Sequence, residues 1–470
     1  MQKTKIIATL GPACQDKDTI IQMLSSGLSV FRINGSHLND FQHIQKVVQQ
    51  IRAIAKKLDK PISIMMDLGG PKIRVQLPPN TQNIMVHKGN TYCLGFKEWD
   101  IPLNTKINVL TINKNAKIKI DDGKLNFQVI KFNDDRIMVR ALNSGTITNN
   151  KGVNFPGVNL KLPAVTTKDR QNIDLAIKLG VDWLAQSFVR KPTNIYPIKR
   201  ILSKNAIKIP VIAKIETADA IQNLDSILKK YDGILIARGD LGVEMDLSNL
   251  PKLQKQIINH CIYHKKPCIV ATQMLNSMIK HDSPTRAEVN DVANAIYDGV
   301  DAVMLSAETA IGSYPVESVQ MMAAISSNIE SDLDLSNFNR NILDSLSTSI
   351  TNNYLAICHA AYSIASNLDI KIIVVLTDSG KTAIQMAQFR PNASIVAITP
   401  NQKICNLLSM IWGVVPIYSN KFNTMQEAYR LVNQILIKKT LINSGENFLI
   451  ASGILKIKNS TNMLQIYQSK

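Results

Sequence analysis

Two short motifs near the middle of the chain combine a lysine with two carboxylates. Lys214 and Glu216 flank one residue in the motif AKIET, and Asp240 ends the motif ARGD one apolar run later. In a strand, residues two apart point to the same face. Two carboxylates suit Mg²⁺, which keeps waters and accepts phosphate oxygens, while a fixed ammonium stabilises a transferring phosphoryl group. These residue types predict metal-assisted phosphoryl transfer, and a structural Lys–Glu ion pair is the alternative.

Eight apolar runs must position these motifs. In most of them apolar and polar residues do not alternate, which is typical of strands covered on both faces. The runs are TKIIATLG (4–11), LSVFRING (28–35), ISIMMDLGG (62–70), WLAQSFVR (183–190), PVIAKIET (210–217), GILIARGD (233–240), PCIVATQM (267–274) and AVMLSAET (302–309). Amphipathic stretches alternate with them. In one, residues 167–180, we expect Thr167 as the N-cap and Gly180 as the stop. Eight such units predict a closed (β/α)8 barrel with its chemistry at the strand ends.

Two further domains interrupt and follow the barrel, which is assigned to residues 1–70 and 167–335. Residues 71–166 contain short alternating runs, Asp-Gly and Lys-Gly turns, and no convincing helix. They predict an inserted all-β domain that hangs over the active-site mouth as a lid. A polar linker is predicted over residues 331–350, and residues 345–470 form a C-terminal α/β domain with a doubly wound sheet.

Further candidate ligands lie at other strand ends. Gly239 lets a bound carboxylate approach backbone amides, although an ordinary turn is also compatible. Thr272 offers a hydroxyl that could orient substrate or relay a proton. In the C-terminal domain, the loop TDSGKT could cradle a phosphate, and an ordinary strand–helix turn is the alternative. The candidate residues of this effector loop are Thr377, Ser379, Gly380, Lys381 and Thr382.

Composition argues against several other classes of protein. The net charge is +18, but aromatic residues make up only 5% and no dense basic tail is present, so steering of anionic substrates is favoured over nucleic-acid binding. No apolar run approaches the roughly 18 residues that span a membrane. The N-terminus lacks signal-peptide anatomy, and the six scattered cysteines form no CxxC spacing. We expect a cytoplasmic protein that binds neither membranes nor nucleic acid.

The chain resembles the pyruvate kinase family along essentially its whole length. The shared motifs, in the family's order, are TKIIATLGP, FRINGSH, GGPKIR, KGVNFPGVNLKLPA, SFVRK, AKIET, ARGDLGVE, ATQMLNSM, PTRAEVNDVANA and MLSAETAIGSYPVE. The resemblance implies a barrel, an inserted β-barrel lid and a C-terminal regulatory α/β domain. It also implies the last step of glycolysis, the Mg²⁺-dependent transfer of phosphate from phosphoenolpyruvate to ADP, which yields pyruvate and ATP. An allosteric homotetramer is expected from the family.

The resemblance implies a role for each matching residue. Glu216 and Asp240 would hold Mg²⁺, Lys214 would stabilise the transition state, and Arg32 would contact the phosphate. The implied catalytic residues are Lys214, Arg32 and Thr272. The implied substrate contacts are Arg32, Lys214, Gly239, Asp240 and Thr272. The implied nucleotide contacts are Asn34, Gly35, Ser36, His37, Arg74 and, from the lid, Lys151. TDSGKT resembles the family's phosphate-binding regulatory loop, which suggests a sugar phosphate or a nucleotide monophosphate as the effector.

Two segments depart from the family pattern. Gly35 and Leu38 stand where the family usually has a phenylalanine and a glycine, so we expect looser packing near the nucleotide. Leu68, Gly69 and Lys72 replace the commoner threonine, lysine and glutamate, and members with this lysine are similar to a K⁺-independent subgroup.

The second departure predicts how the enzyme responds to K⁺. The monovalent-cation site would be formed by Asn34, Ser36, Asp67 and Leu68. Two unit charges ~4 Å apart repel by about 4 kcal/mol at an effective dielectric near 20. We therefore expect the Lys72 ammonium to replace the ion and K⁺ not to be required.

Two other functions stay open from sequence alone. An Mg²⁺-dependent barrel lyase acting on enolates, such as an aldolase, also needs a Glu–Asp metal pair, but it has no use for the insert or for Lys151. A regulatory RNA-binding protein would use the positive charge, although the presence of every expected catalytic residue argues against it.

Overall fold

The computed structural model describes residues 2–38, 40–96, 99–107, 112–133, 136–158, 160–333, 353–422, 424–453 and 461–470. Most of the predicted linker over residues 331–350 lies outside this part of the chain. Three strands begin the barrel: β1 (Lys5–Thr9), β2 (Leu28–Asn34) and β3 (Ser63–Leu68). The insert contributes β4 (Asn83–Val86), β5 (Thr91–Phe96), β6 (Ile101–Leu103), β7 (Lys117–Ile120), β8 (Leu125–Asn133), β9 (Arg136–Ala141), β10 (Gly145–Thr148) and β11 (Val153–Asn154).

The predicted (β/α)8 barrel is confirmed. It resumes with β12 (Trp183–Gln186), β13 (Val211–Ile215), β14 (Gly233–Ala237), β15 (Cys268–Ala271) and β16 (Ala302–Leu305). The eight strands close in the order β1-β16-β15-β14-β13-β12-β3-β2. Their pairs are all parallel, so every carboxyl end lies at the same mouth.

Helices connect the barrel strands, and polar caps set where several of them begin. Their bounds are Lys17–Ser25, Phe41–Lys57, Thr167–Leu179, Tyr196–Lys204, Ala218–Gln222, Leu224–Leu228, Arg238–Glu244, Leu250–Tyr263, Arg286–Tyr297, Ala307–Ala310 and Pro315–Asp332. The N-cap predicted at Thr167 is wrong by one residue, because Thr166 and Asp169 form a capping box. Gly180 ends that helix as predicted, in the left-handed conformation.

Three aspartates, two buried and one half-buried, fix the amino-terminal end of the barrel. Asp182, Asp232 and Asp301 each stand one residue before a strand. Each carboxylate accepts a hydrogen bond from a backbone amide of the preceding neighbour in the barrel, at 2.7, 2.9 and 2.7 Å respectively. Charge-assisted bonds of this kind tie adjacent strands together where the sheet ladder begins. They hold the register that places polar residues at the opposite mouth.

The insert is all-β in its described strands, and residues 73–76 close its larger sheet into the predicted barrel, because their backbone bonds to residues 150–153 on one side and to residues 102–104 on the other. Six strands pair in the order β11-β7-β8-β9-β5-β6, and β10 pairs with β4. Its own apolar core, which includes Phe127 and Val139, is separate from the barrel core. The chain enters the insert directly after β3 and leaves it after β11, so both connections lie near the barrel's carboxyl mouth.

The C-terminal domain is a five-stranded sheet that covers the other end of the barrel. Its strands are β17 (Ile372–Leu376), β18 (Ser394–Thr399), β19 (Val414–Tyr418), β20 (Asn447–Gly453) and β21 (Thr461–Gln468). They pair in the order β19-β18-β17-β20-β21, and only β21 is antiparallel. Its helices are Asn353–Asn367, Lys381–Ala387, Gln402–Leu408 and Met425–Lys438. Among the described residues, no helix has the length and apolar character to cross a membrane.

The joint between the barrel and this domain is buried and charged. A buried ion pair joins Arg390 to Asp301 at 3.0 Å, and the Arg390 guanidinium stacks 4.4 Å from the Trp412 ring centroid. Lys5 donates to the Val414 carbonyl at 2.8 Å, and burial lowers the pKa of its ammonium to about 8. One end of the barrel is therefore sealed, and ligands must enter at the carboxyl mouth.

Lys5 makes the stability of this joint depend on pH. Its pKa is about 8 in the folded protein, whereas an ordinary lysine has a pKa of 10.5. Between these two pH values the unfolded chain binds more protons than the folded protein, so the free energy of unfolding rises with pH. Below this pH range Lys5 contributes no such gain. We expect the unfolding free energy of the wild type, relative to Lys5→Met, to increase by about 2 kcal/mol from pH 8 to pH 10. Urea titrations of both proteins at the two pH values measure this increase. An equal change in unfolding free energy for the wild type and Lys5→Met would contradict the prediction.

Candidate active site

Lys214 lies at the centre of a buried charge network in the barrel mouth. Its ammonium is 2.9 Å from Glu216 Oε1 and 3.3 Å from Asp67 Oδ1, and it donates to Ser187 Oγ at 2.8 Å. Lys214 and Glu216 come from the end of β13, Asp67 comes from β3, and Ser187 follows β12. Three neighbouring strands thus bring their polar residues to one point, as the sequence predicted for Lys214 and Glu216.

Arg32 completes this network from β2. Its guanidinium binds Asp67 Oδ2 through Nε at 2.8 Å and Nη2 at 2.7 Å, and Nη1 donates to Thr9 Oγ1 at 2.9 Å. Asp67 is only 1% exposed and so shares its two oxygens between two cations. The carboxylate therefore fixes the separation and direction of Arg32 and Lys214, the two cations predicted to bind a phosphoryl group.

The pKa values in this network favour the charged forms of the lysine and the aspartate. Burial by itself would lower the pKa of Lys214, but Asp67 and Glu216 outweigh it and raise that pKa. Burial opposes ionisation of Asp67, yet Lys214 and Arg32 hold its pKa below the usual range. In Glu216, burial raises the pKa, and the nearby Asp240 carboxylate adds to that effect. An ammonium that stays protonated is ready to neutralise developing negative charge.

Glu216 and Asp240 fit a divalent cation. Glu216 Oε2 accepts the Phe188 amide at 2.7 Å, whereas Oε1 is buried and, despite its ion pair, accepts no hydrogen bond of good geometry from the described residues. In the same part of the chain, no three His, Cys, Asp or Glu side chains form a dedicated metal cluster. Mg²⁺ commonly takes one or two carboxylates and completes its shell with water and substrate phosphate. This pair matches that pattern.

Asp240 pairs with Lys72, a contact that the sequence did not predict. The Lys72 ammonium is 2.7 Å from Asp240 Oδ1, and both side chains are 23% exposed. The replacement of K⁺ by Lys72 at the site of Asn34, Ser36, Asp67 and Leu68 stays a prediction, and Lys72 forms no ion pair with Asp67. The physical reason is competition: Arg32 and Lys214 already neutralise Asp67, whereas Asp240 has no other ion-pair partner among the described residues.

Backbone strain shapes the turn that carries Thr272. Thr272 and Gln273 have φ values of 73° and 55°, a left-handed conformation that is costly for a β-branched residue. Thr272 Oγ1 accepts the Gly239 amide at 2.7 Å, so these two predicted substrate contacts are adjacent. Arg238 donates to the Thr272 carbonyl at 2.8 Å and binds Asp291 Oδ1 at 2.6 Å. The arginine compensates the strain and keeps the threonine hydroxyl at the mouth.

The predicted nucleotide contacts after β2 form a short 3-10 turn, Gly35–His37. Asn34 Oδ1 accepts the Ser36 amide at 3.2 Å, and Lys168 donates to the Ser36 carbonyl at 2.8 Å. Burial lowers the pKa of His37, and the cations Arg74, Lys168 and Arg32 lower it further. The turn is therefore surrounded by positive charge, which suits the phosphates of a nucleotide.

Arg74 and Lys151 lie on the two chain segments that enter and leave the insert. Arg74 donates to the Asn150 carbonyl at 2.8 Å, and its backbone bridges that of Gly152. The Lys151 ammonium pairs with Asp121 Oδ1 within the insert at 2.8 Å. These contacts lie within the insert, and Arg74 is also close enough to His37 to help lower the pKa of that imidazole.

Gly35 is packed more tightly than predicted. A Cβ at this position would lie 2.6 Å from the Asp67 carbonyl oxygen and 2.7 Å from Asn172 Nδ2. Asn172 donates that amide to the Gly35 carbonyl at 3.0 Å. The expectation of looser packing is therefore wrong, because Asn172 fills the space next to the glycine.

The predicted effector loop lies at the carboxyl end of β17. Gly380 adopts a left-handed φ of 78°, and its amide donates to Thr377 Oγ1 at 2.9 Å. Ser379 and Lys381 are exposed, while the Thr382 hydroxyl bonds that of Thr461. This geometry is an ordered strand–helix turn with an exposed cation, and its affinity for a phosphate stays a prediction.

Comparison with known proteins identifies the family. The model of the pyruvate kinase barrel domain matches residues 1–319, and that of the pyruvate kinase alpha/beta domain matches residues 355–467. The chain belongs to the pyruvate kinase family. It is 38% identical over 476 residues to a pyruvate kinase of Bacillus licheniformis, covering 99% of this chain and 80% of the relative. A pyruvate kinase of Clostridium acetobutylicum is 35% identical, with 99% of both chains covered.

A solved structure agrees with this assignment. The crystal structure of a pyruvate kinase from Cryptosporidium parvum superposes with a TM-score of 0.91 at 32% identity, covering 100% of this chain and 96% of the other. Membership of the pyruvate kinase family makes the protein a phosphotransferase.

Four supporting residues were not among the predicted site residues: Thr9, Ser187, Asn172 and Arg238 touch those residues directly. Two of them, Ser187 in SFVRK and Arg238 in ARGD, do lie at strand ends, and this position was the available signal. Thr9 and Asn172 gave no comparable signal, since a threonine in an apolar strand and an asparagine in a helix are common.

The packing at Gly35 can be tested by Gly35→Ala. Because the added methyl group would overlap a backbone oxygen, we expect the unfolding free energy to fall by about 1–3 kcal/mol. The midpoint of urea unfolding measures this change. A midpoint equal to that of the wild type would show that the turn yields freely and that Asn172 does not confine it.

Proposed function

We propose that this enzyme transfers the phosphoryl group of phosphoenolpyruvate to ADP and so forms pyruvate and ATP. One observation carries the proposal: Lys214 and Arg32 are fixed by Asp67 at a barrel mouth that also holds the carboxylates Glu216 and Asp240. In the reaction, the bond between phosphorus and the enol oxygen breaks, and a bond to a β-phosphate oxygen of ADP forms. The enolate that is left takes up a proton at carbon and becomes pyruvate.

Each residue has a physical task in this reaction. Glu216 and Asp240 would hold Mg²⁺, which supplies Lewis acidity toward the oxygens of the substrate when bound. Lys214 and Arg32 neutralise charge on the phosphoryl oxygens. Gly239 and Asp240 bind the substrate at the amino-terminal turn of their helix, and Thr272 presents a hydroxyl beside them that can orient substrate or relay a proton. Their preorganisation by Asp67 and Arg238 removes the cost of ordering them during turnover.

The nucleotide is proposed to lie between the turn after β2 and the insert. Asn34, Gly35, Ser36 and His37 form one side, and Arg74 and Lys151 form the other. Because Lys151 belongs to the insert, binding of ADP would draw the insert toward the barrel. A cytoplasmic homotetramer that serves the last step of glycolysis completes the proposal, with a phosphorylated effector at the loop of Thr377, Ser379, Gly380, Lys381 and Thr382.

Formation of ATP tests the proposed reaction directly. We expect ATP from phosphoenolpyruvate and ADP with MgCl₂ and none when the metal is chelated, measured by luciferase luminescence. A barrel lyase would form no ATP under these conditions. A protein that bound RNA with steep salt dependence and formed no ATP would favour the RNA-binding alternative instead.

The role of Lys214 is tested by Lys214→Met. Loss of a preorganised cation at the transferring group reduces turnover by at least ~10²–10³. Lys124→Met is the matched control, because Lys124 is an exposed lysine of the insert that pairs only with Asp121 among the described residues. Circular dichroism checks that both variants fold. Near-full turnover by a folded Lys214→Met enzyme would show that the assigned role is wrong.

We further propose that K⁺ is not required, because Lys72 supplies an ammonium inside the same mouth, whether it pairs with Asp240 or with another carboxylate of the cleft that it lines. Turnover should change little when KCl replaces a large organic cation at constant ionic strength. The Lys72→Glu variant, in which the positive charge is lost, should gain activation by K⁺. Manyfold stimulation of the wild type by K⁺ would refute the proposal.

A further inference from the structure

Lys72 joins the insert to the barrel at the carboxylate of Asp240. It follows β3 by four residues, at the start of the segment that leads into the insert. Its stem packs against the segment that returns from the insert, since a Cβ on Gly152 would lie 3.0 Å from Lys72 Cε. Its ammonium is 2.7 Å from Asp240 Oδ1 and 6.0 Å from the centroid of the Phe188 ring. One side chain thus contacts both connections of the insert and a proposed metal ligand.

Two further side chains of the insert bind the helix that carries Asp240. This Asp240 helix is Arg238–Glu244. Lys119 on β7 donates to the Val243 carbonyl at 2.6 Å, and Asn154 on β11 donates to Glu244 Oε1 at 3.2 Å. Lys119 and Asn154 are paired neighbours across the β7–β11 ladder. An ammonium at the carboxyl end of a helix is favourable because the last carbonyls carry partial negative charge.

The three contacts together hold the insert to one short helix. We propose that they form a latch in the metal-free enzyme, in which Lys72 acts as a built-in cation on Asp240 and must leave before this carboxylate binds a divalent cation. The inference rests on the proposed metal role of Glu216 and Asp240. Metal loading is thereby coupled to the release of the insert.

The structure offers Lys72 an alternative partner once it leaves Asp240. A cleft with about 660 Å³ of empty space, part of it open to solvent, lies between the insert connections and the strand ends. Lys72, Phe188, Asp219 and Glu244 all line it. The ammonium can therefore move to another carboxylate across the same cleft, next to an aromatic face, without passing through the apolar core.

The latch predicts that removal of the Lys72 charge tightens metal binding. Mn²⁺ serves as the probe, and electron paramagnetic resonance measures the free ion in the full-length, substrate-free protein. Since a partly exposed ion pair contributes about 1 kcal/mol or less, we expect Lys72→Gln to lower the Kd for Mn²⁺ by about fivefold. Lys72→Arg keeps the cation and should stay within about twofold of the wild type. Lys124→Gln removes an insert charge far from Asp240 and should change nothing.

Two outcomes separate failure of the latch from failure of the metal site. If Lys72→Gln binds Mn²⁺ no more tightly than the wild type, while Glu216→Gln abolishes binding, the metal site stands and the latch is refuted. If Glu216→Gln leaves the Kd unchanged, the metal proposal itself fails, and the latch fails with it.

Hydrogen exchange of the wild type tests the latch without any variant. Mn²⁺ should increase amide exchange in residues 71–75 and 151–155, the two connections of the insert, because Lys72 is released from Asp240. In Lys72→Gln this exchange should already be high without metal and should not increase further. Exchange in wild-type connections that is unchanged or decreased by Mn²⁺ would overturn the coupling.

Discussion

A buried carboxylate, Asp67, is the interaction on which the active site depends. It is 1% exposed and survives there because Arg32 and Lys214 approach its two oxygens from different strands. An isolated buried charge of this kind would be prohibitively costly, and so would either cation without it. The network is therefore stable only as a whole. Because the three charges must neutralise one another, the network fixes the distance between the two cations that are proposed to face the phosphoryl group.

The register of the strands places these charged residues together at the carboxyl mouth. Residues at the opposite end of the barrel contact the C-terminal domain instead. At the carboxyl mouth, Asn34 pairs with Asp67 across β2 and β3, and Ala185 pairs with Asp67 across β3 and β12. At the opposite end, Asp301 binds a strand amide and also forms the ion pair with Arg390 of the C-terminal domain. A disturbance of the joint can therefore reach strand β16 through a single carboxylate.

The carboxyl mouth of the barrel combines strained turns with a partly exposed ion pair. Thr272 and Phe188 both have left-handed backbones, and each turn is held by a hydrogen bond to a predicted site residue. Lys72 and Asp240 add an ion pair that remains partly exposed, and partly exposed pairs contribute little stability. Rigid groups thus surround the position proposed for the phosphoryl group, whereas the Lys72–Asp240 contact between insert and barrel is only a partly exposed ion pair.

The sequence by itself determined the repeated strands, the inserted all-β domain and the ends at which Lys214, Glu216 and Asp240 lie. These features follow from apolar periodicity and turn residues, which act over a few neighbouring positions. Tertiary structure alone decided that Lys72 binds Asp240, 168 residues away, and that Asn172 packs against Gly35. It also decided that Arg238 holds Thr272. The choice of an ion-pair partner depends on which segments the closed barrel brings together and on which carboxylates are already neutralised, and neither is encoded in local spacing.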